Sequence, residues 1–321
     1  MLFALEIAKS LKRRVLYHIT KKPLSFPTQF QIQTNNLCNA SCIMCPVSKA
    51  KNETPGRMSD ELFEKIINEI SEHRTHDTFV WLHLQNEPLT DSTLFNKLRR
   101  IKQVSHGMIK TGVVTNGMLL TEEKIRELND TEVDKICISI DASTEETFNT
   151  IRKGLCYNTV LQNIEYLYQS NKRARVYVRF ILQKDNYLEL DDFKKIWKNM
   201  GIPIEIGIVN NRAGAVLNFE DIGLSYKRIP FKYKLAQNVF LLLTGGCYNL
   251  SNSFNILYSG DVIMCCNDYI KKIILGNAWE SSIAEIWAGK KYQSVREAIF
   301  KKEFDNIPEC NTCSLIRYSW M

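Results

Sequence analysis

The sequence predicts an α/β protein: a partial (β/α)6 barrel of the TIM type followed by a small C-terminal hairpin-plus-helix unit. Three observations lead there. Strand-like and helix-like runs alternate six times between residues 28 and 209. The strand-like runs carry Ile, Val and Phe on both faces, as parallel strands covered by helices do. Polar residues (Asn35, Glu87, Asn116, Asp141 and Arg212) fall just past strand ends, the rim where such a barrel keeps its chemistry. An open doubly wound sheet is the competing arrangement.

In order, strands are expected over 28–35, 78–84, 109–115, 135–141, 175–182 and 202–209. Helices fill the gaps. The first covers 59–73, capped by Ser59, and the second covers 92–104. A third, 121–130, begins at Thr121, a fourth, 143–151, at Ser143, and 159–171 and 189–200 complete the set. Composition shifts after Gly214, and 215–246 reads as a bridge with little periodicity. From Cys247, "SFNILYSGDVIMCC" reads as a hairpin turning at Ser259-Gly260-Asp261. A largely helical run, 282–302, precedes a final "CNTC". The expected domains are thus 1–27 (a basic N-terminal helix and lead-in), 28–214 (barrel), 215–246 (bridge) and 247–321 (C-terminal unit).

The 321 residues are 45% hydrophobic and 24% charged, ordinary for a globular chain. No apolar run reaches the ~18 residues of a membrane span. Glu6 and Lys9 interrupt the apolar opening and no small-residue cleavage site follows, so a secretory signal is not expected and a cytoplasmic location is. The net charge of +7 is concentrated at the N-terminus, where Lys9, Lys12, Arg13, Arg14, Lys21 and Lys22 face only Glu6. That is not the broad footprint of a nucleic-acid binder. It suits a helix capping the barrel, or one that touches an anionic surface through residues 1–25.

The chemistry is in the cysteines. "QTNNLCNASCIMCPVS" sets Cys38, Cys42 and Cys45 at x3 and x2 spacing, close enough for one loop to curl around a cluster. A structural zinc site wants four ligands and a disulfide two. Three soft thiolates on a four-iron cubane leave one iron open.

The C-x3-C-x2-C motif after the first strand resembles the signature of the radical S-adenosylmethionine (SAM) superfamily. The resemblance implies that the open iron is chelated by the amino and carboxylate groups of SAM. Reductive cleavage then gives methionine and a 5′-deoxyadenosyl radical. Met44 stands where the family has a bulky residue against the adenine. "QNEP" (85–88) stands where the family has GGEP or GEP, so Glu87 is expected to receive the methionine ammonium; Asn86 departs from the glycine. "SID" (139–141) resembles the segment contacting ribose and carboxylate, implicating Ser139 and Asp141. The following strand, "RVYVRFILQKDN" (175–186), adds Arg179, and Asn116 completes the implied cofactor set.

Cys247, Cys265, Cys310 and Cys313 provide four more thiols. Their spacing alone does not separate zinc from iron. The run "CCNDY…LGN…SIAEIW…C-x2-C" resembles the single-cluster "twitch" form of the SPASM extension, which implies a second [4Fe–4S] cluster suited to electron transfer. No cysteine follows Cys313, so the seven-cysteine SPASM pattern is absent. Cys266 is left over, either a buried thiol or a hydrogen-atom donor to a substrate radical. Cys137 and Cys156 read as packing residues, and His83 as a core histidine. Arg212 is a candidate for holding an anionic or hydroxyl-rich substrate. Tyr248, Asn267 and Asp268 are candidates for supporting the auxiliary ligands.

The resemblance leaves three reactions open. A small-molecule dehydrogenase acting on a sugar or aminocyclitol would use the second cluster as electron acceptor. An epimerase would use Cys266. A peptide or protein maturase is the third, weakened by the short stretch before the first strand. A redox module without catalysis is the reading from another class. A flavodoxin- or ferredoxin-like reductant is the implied partner.

Overall fold

In the computed structural model the described residues are 24–48, 54–171, 173–231, 233–235, 247, 249–301 and 303–314. The basic N-terminal helix, most of the later part of the bridge, and Tyr248 lie outside them. Among the described residues no helix is long and apolar enough to cross a membrane.

Six parallel strands form as expected: β1 (Gln29–Ile32), β2 (Phe79–Trp81), β3 (Lys110–Thr115), β4 (Lys135–Ser139), β5 (Arg175–Leu182) and β6 (Ile204–Ile208). They lie side by side in chain order. A doubly wound sheet would reverse direction partway; this one does not, and the partial barrel stands. The helices are α1 (Asp60–Glu72), α2 (Leu94–Val104), α3 (Glu122–Asp130), α4 (Glu145–Ile151), α5 (Tyr157–Ser170) and α6 (Leu190–Asn199). Ser59 caps α1 by accepting from the Leu62 amide, and Thr121 caps α3 by accepting from that of Lys124.

The C-terminal hairpin does not stand apart. β7 (Ser253–Ile256) pairs in parallel with β1, Gln29 opposite Ser253 through Ile32 opposite Ile256. β8 (Asp261–Ile263) and an unanticipated β9 (Ile274–Asn277) continue antiparallel, making one nine-stranded sheet. Gly260 turns the hairpin at φ 91°, a left-handed conformation that glycine adopts without steric cost. The helical run breaks at Gly289 into α7 (Ile283–Ala288), with a Ser282–Glu285 capping box, and α8 (Lys290–Lys301); α9 (Pro308–Thr312) carries Cys310. Phe254 of β7 lies 6.2 Å from Phe30, 6.2 Å from Trp287 and 6.0 Å from Tyr292 between ring centroids. The Arg296 guanidinium stacks 3.7 Å from the Trp287 ring centre. These ring pairs contribute ~0.5–1.5 kcal/mol each beyond their burial and seat the C-terminal helices on the sheet.

The two faces of the sheet differ. Phe30, Ile32, Val80, Leu82, Ile136, Ile138, Val178 and Phe180 alternate onto the helix side and join the main core. Trp81, Val114, Cys137 and Tyr177 form a separate cluster, of which Val114 also lines the cavity described below. Trp81 lies over Gly112, where a Cβ would come within 2.5 Å of its ring.

One local expectation fails. Thr144, not Ser143, caps α4, because the Ser143 amide and hydroxyl both donate to Glu189 (2.7 and 3.0 Å). Glu189 also accepts from the Thr144 and Thr147 hydroxyls. Burial pushes its pKa up, but these hydrogen bonds outweigh burial and hold it below the ordinary Glu value. A carboxylate with a depressed folded pKa stabilises the fold above its unfolded pKa, and that contribution is lost as pH falls through the folded value. Glu189→Gln should therefore lower the thermal midpoint at pH 7. The gap to wild type should close below about pH 4, as read by unfolding at stepped pH; a gap independent of pH would refute the linkage.

Candidate active site

The first cysteine loop sits at the C-terminal rim of β1, braced by α4. The Ser41 amide donates to Lys153 O (2.7 Å) and the Ile43 amide to Ile151 O (3.0 Å). Cys38, Cys42 and Cys45 line an inner chamber of about 150 Å³. Met44, Glu87, Asn116, Ser139, Arg179 and Arg212 line the same chamber. An adjoining cleft of about 550 Å³ shares Cys38, Ala40, Val47, Gln85 and Tyr269 with it as wall residues.

Glu87 is buried. Its Oε1 accepts from the Leu89 amide (3.1 Å) and the Thr115 hydroxyl (2.8 Å), and its Oε2 from the Asn116 amide (2.7 Å). Burial raises its pKa, opposed by these hydrogen bonds. Asn116 also donates through Nδ2 to Asn39 Oδ1 (2.8 Å), tying β3 to the cysteine loop. The substitutions within "QNEP" have work of their own. Asn86 accepts from the Leu84 amide (3.0 Å) and donates to Asn35 Oδ1 (3.2 Å). Gln85 is the strained position, at φ 54°, and its Nε2 donates to Asp268 O (2.9 Å) and Cys266 O (3.4 Å).

Two expected residues do not reach the chamber. Asp141 is fully buried, at φ 60°, with Oδ1 accepting from the Ile181 amide (2.6 Å) and Oδ2 paired with Arg152. Its carboxylate is used inside the fold and does not face the cavity. Cys266 packs against Leu84, Leu257 and Ile263 and is absent from the chamber wall. Cys137 is buried as expected, whereas Cys156 is exposed at the N-cap of α5 rather than packed. Arg152 is a chamber residue that the sequence did not single out. It lines the chamber, its Nη1 is 3.6 Å from Cys42 Sγ, and it pairs with Asp141. The "IRKG" tetrapeptide after α4 was its only signal, with no spacing to link it to the thiols. His83 also lines the chamber; burial, then Arg179 and Arg212, lower its pKa to about 3, so its imidazole is neutral.

The donor set fits an iron–sulfur group. Burial pushes the Cys38 thiol up to about 12 and raises that of Cys42. Thiolates in such a place need a cation, which a bound metal centre supplies. At the second set, burial raises the Cys265 and Cys310 thiols; Cys265 feels Cys266, Cys247 and Cys310, and Cys310 feels Cys247 and Cys313. Among the described residues no three His, Cys, Asp or Glu side chains converge on a single ion position. Asp268, beside this set, is pushed up to about 6 by burial, with Glu309 adding to the rise.

A barrel rim with three gathered thiols, an acidic cavity residue and a second thiol set defines a radical SAM protein. A family model described as the radical SAM superfamily matches residues 32–195, and one for the SPASM iron–sulfur cluster-binding domain matches 247–314. The chain belongs to the radical SAM superfamily and carries a SPASM-type C-terminal auxiliary domain, which implies iron–sulfur and SAM binding. It is similar to the tungsten-containing aldehyde ferredoxin oxidoreductase cofactor-modifying protein of Pyrococcus furiosus, at 24% identity over 88% of this chain and 86% of that protein. It is also similar to the S-adenosyl-L-methionine-dependent 2-deoxy-scyllo-inosamine dehydrogenase of Niallia circulans, at 21% identity over 89% and 92%. Among solved structures, Streptococcus suis SuiB bound to precursor peptide SuiA shares the fold with a TM-score of 0.69, at 14% identity over 96% of this chain and 74% of that one.

Asp141→Asn keeps the acceptor for the Ile181 amide but leaves the largely buried Arg152 without its counter-charge. The fold should lose ~3–5 kcal/mol, measured by urea unfolding of the full chain. An unchanged midpoint would contradict the structural assignment of Asp141.

Proposed function

We propose that this chain is a radical SAM dehydrogenase that oxidises a small hydroxylated substrate, of sugar or aminocyclitol type, to a ketone. Cys38, Cys42 and Cys45 hold one [4Fe–4S] cluster, and Cys247, Cys265, Cys310 and Cys313 a second. When bound, the two clusters and SAM supply hydrogen abstraction and an electron acceptor. Glu87 takes the ammonium of SAM and Arg152 its carboxylate, while Met44, Asn116 and Ser139 line the rest of that site. Arg179 and Arg212 face the substrate. A flavodoxin- or ferredoxin-like protein is the reductant.

The observation that carries this reading is the shared cleft. The thiol triplet, Glu87 and Arg212 line one chamber, and the partners of Arg212, Asn267 and Tyr269, lie within four residues after Cys265 in the chain. A second cluster ligated by four thiols is closed, which suits electron transfer rather than substrate ligation. The Niallia circulans relative is by name a dehydrogenase of an aminocyclitol, and the similarity spans nearly all of both chains. Epimerisation is less favoured because Cys266 packs on an apolar cluster and does not line the chamber. Peptide modification is the second reading, favoured by the adjoining cleft and by likeness to a peptide-bound structure.

The test is iron and acid-labile sulfide per chain after anaerobic reconstitution, for wild type beside a Cys38/Cys42/Cys45 triple-alanine variant. About eight irons should fall to about four, as two cubanes require. Incubation with candidate polyols should then give a product two hydrogens lighter, with no solvent deuterium at the reacting carbon. Four irons falling to none would remove the electron acceptor and the reading with it. Deuterium incorporation without mass loss would favour epimerisation, and turnover only on peptides would favour the second reading.

A further inference from the structure

Resting on the dehydrogenase reading, the charge of the substrate can be read from the chamber wall. Its charged side chains are Glu87, Arg152, Arg179 and Arg212, apart from the thiols. Glu87 is engaged by three hydrogen-bond donors. Arg152 is paired with Asp141, and Arg179 with Glu205 (2.9 Å). His83 is neutral and adds no cation. Arg212 differs. Its Nη1 donates to the neutral Asn267 Oδ1 (2.7 Å) and its guanidinium lies 6.0 Å from the Tyr269 ring centre, and among the described residues it has no ion-pair partner.

The backbone holds this guanidinium at a cost. Arg212 and Ala213 are consecutive non-glycine residues in the left-handed region, at φ 49° and 54°, followed by Gly214 at 88°. Such conformations persist only where surrounding contacts over-determine them, and they cluster at functional sites. Here the contacts come from α9 and the residues after it. Thr312 donates through its hydroxyl to Ala213 O (3.1 Å), Asn211 Nδ2 to Thr312 O (2.7 Å), and the Ser314 amide to Asn211 Oδ1 (2.9 Å). The loop is clamped on both sides so that an unneutralised, half-buried guanidinium faces the cavity.

We infer that the substrate carries an anionic oxygen group, a carboxylate or a phosphate, and that Arg212 receives it. A guanidinium presents paired N–H donors that match either group, and a substrate ammonium would meet a cation instead. Arg212 is thus a specificity residue that, within the hydroxylated substrate class, favours a molecule bearing an anionic oxygen group. The carboxylate of SAM is the competing occupant, for which Arg152, with Nη1 3.6 Å from Cys42 Sγ, is the other cation on the wall.

The test uses reconstituted full-length protein with SAM bound and reads binding by calorimetry, without turnover. Four probes of similar size differ in charge: quinate, myo-inositol 1-phosphate, myo-inositol and 2-deoxystreptamine. At least one anionic probe should bind about tenfold more tightly than myo-inositol, with the diamine weakest. Arg212→Gln should abolish the preference, Arg212→Lys should restore part of it, and SAM affinity should fall by less than that of the anionic probe. Equal binding of all probes, preference for the diamine, or absence of any anionic binding overturns the inference, and the wild-type comparison decides even if a variant fails to fold. Loss of SAM affinity matching the loss of probe binding would reassign Arg212 to the cofactor and overturn it too. The quinate result tells carboxylate from phosphate. Because no product is measured, this inference can fail while oxidation is confirmed, or hold while oxidation is refuted.

Discussion

Everything at the active site depends on the parallel pairing of β7 with β1. The two strands are more than two hundred residues apart in the chain, yet they lie in register over four positions. The cysteine loop leaves the end of β1, and the hairpin that leads into Cys265 continues from β7. Adjacent strands in a sheet are ~4.8 Å apart, so this pairing sets the hairpin beside the strand that carries the cysteine loop, and β8, antiparallel to β7, carries Cys265 back toward the start of β7. The aromatic group of Phe30, Phe254, Trp287 and Tyr292 holds the pairing from the helix side. Glu69 of α1 strengthens it by accepting from the amides of Ile283 and Ala284 at the start of α7 (2.8 and 2.9 Å).

From that constraint a set of cross-links follows on the chamber side. Gln85 reaches from the β2 loop to the backbone of Cys266 and Asp268. Arg212 reaches from the β6 loop to Asn267, and Asn211 and Ala213 are held by Thr312 and Ser314. Each link runs from a barrel loop to a segment next to an auxiliary cysteine. Backbone strain sits at the same places, with Gln85, Arg212 and Ala213 all at positive φ. The barrel loops and the C-terminal unit are therefore tied together at these points, where three of the seven non-glycine positive-φ residues among the described residues lie.

How much was legible in the sequence varied with the range of the interaction. The strands and helices followed from periodicity and caps, because Ser59 and Thr121 act on amides three residues away. That the thiol triplet and Glu87 share one chamber could be anticipated because the cysteines are close in the chain and Glu87 belongs to a tetrapeptide. That the Asp141 carboxylate turns into the fold was not legible, because its left-handed turn toward Arg152 and the Ile181 amide is set by neighbours after α4 and on β5. Arg152 was missed for the same reason. Ser143 lost its capping role to a glutamate 46 residues away, and β9 was hidden because it needs β8 to pair with.

The sequence by itself determined the class of this protein. A three-thiol loop after a strand, an acidic tetrapeptide after the next and a four-thiol extension specify the radical SAM chemistry through residues that are close in the chain. Only the tertiary structure decided which side chains share the chamber. It turned Asp141 into the fold, drew Arg152 to Cys42, sent Cys266 into an apolar cluster and left Arg212 facing the cavity without a counter-charge among the described residues. The physical reason is that donor type and spacing are local properties, whereas the direction of a side chain and the neutralisation of its charge depend on partners brought from distant segments.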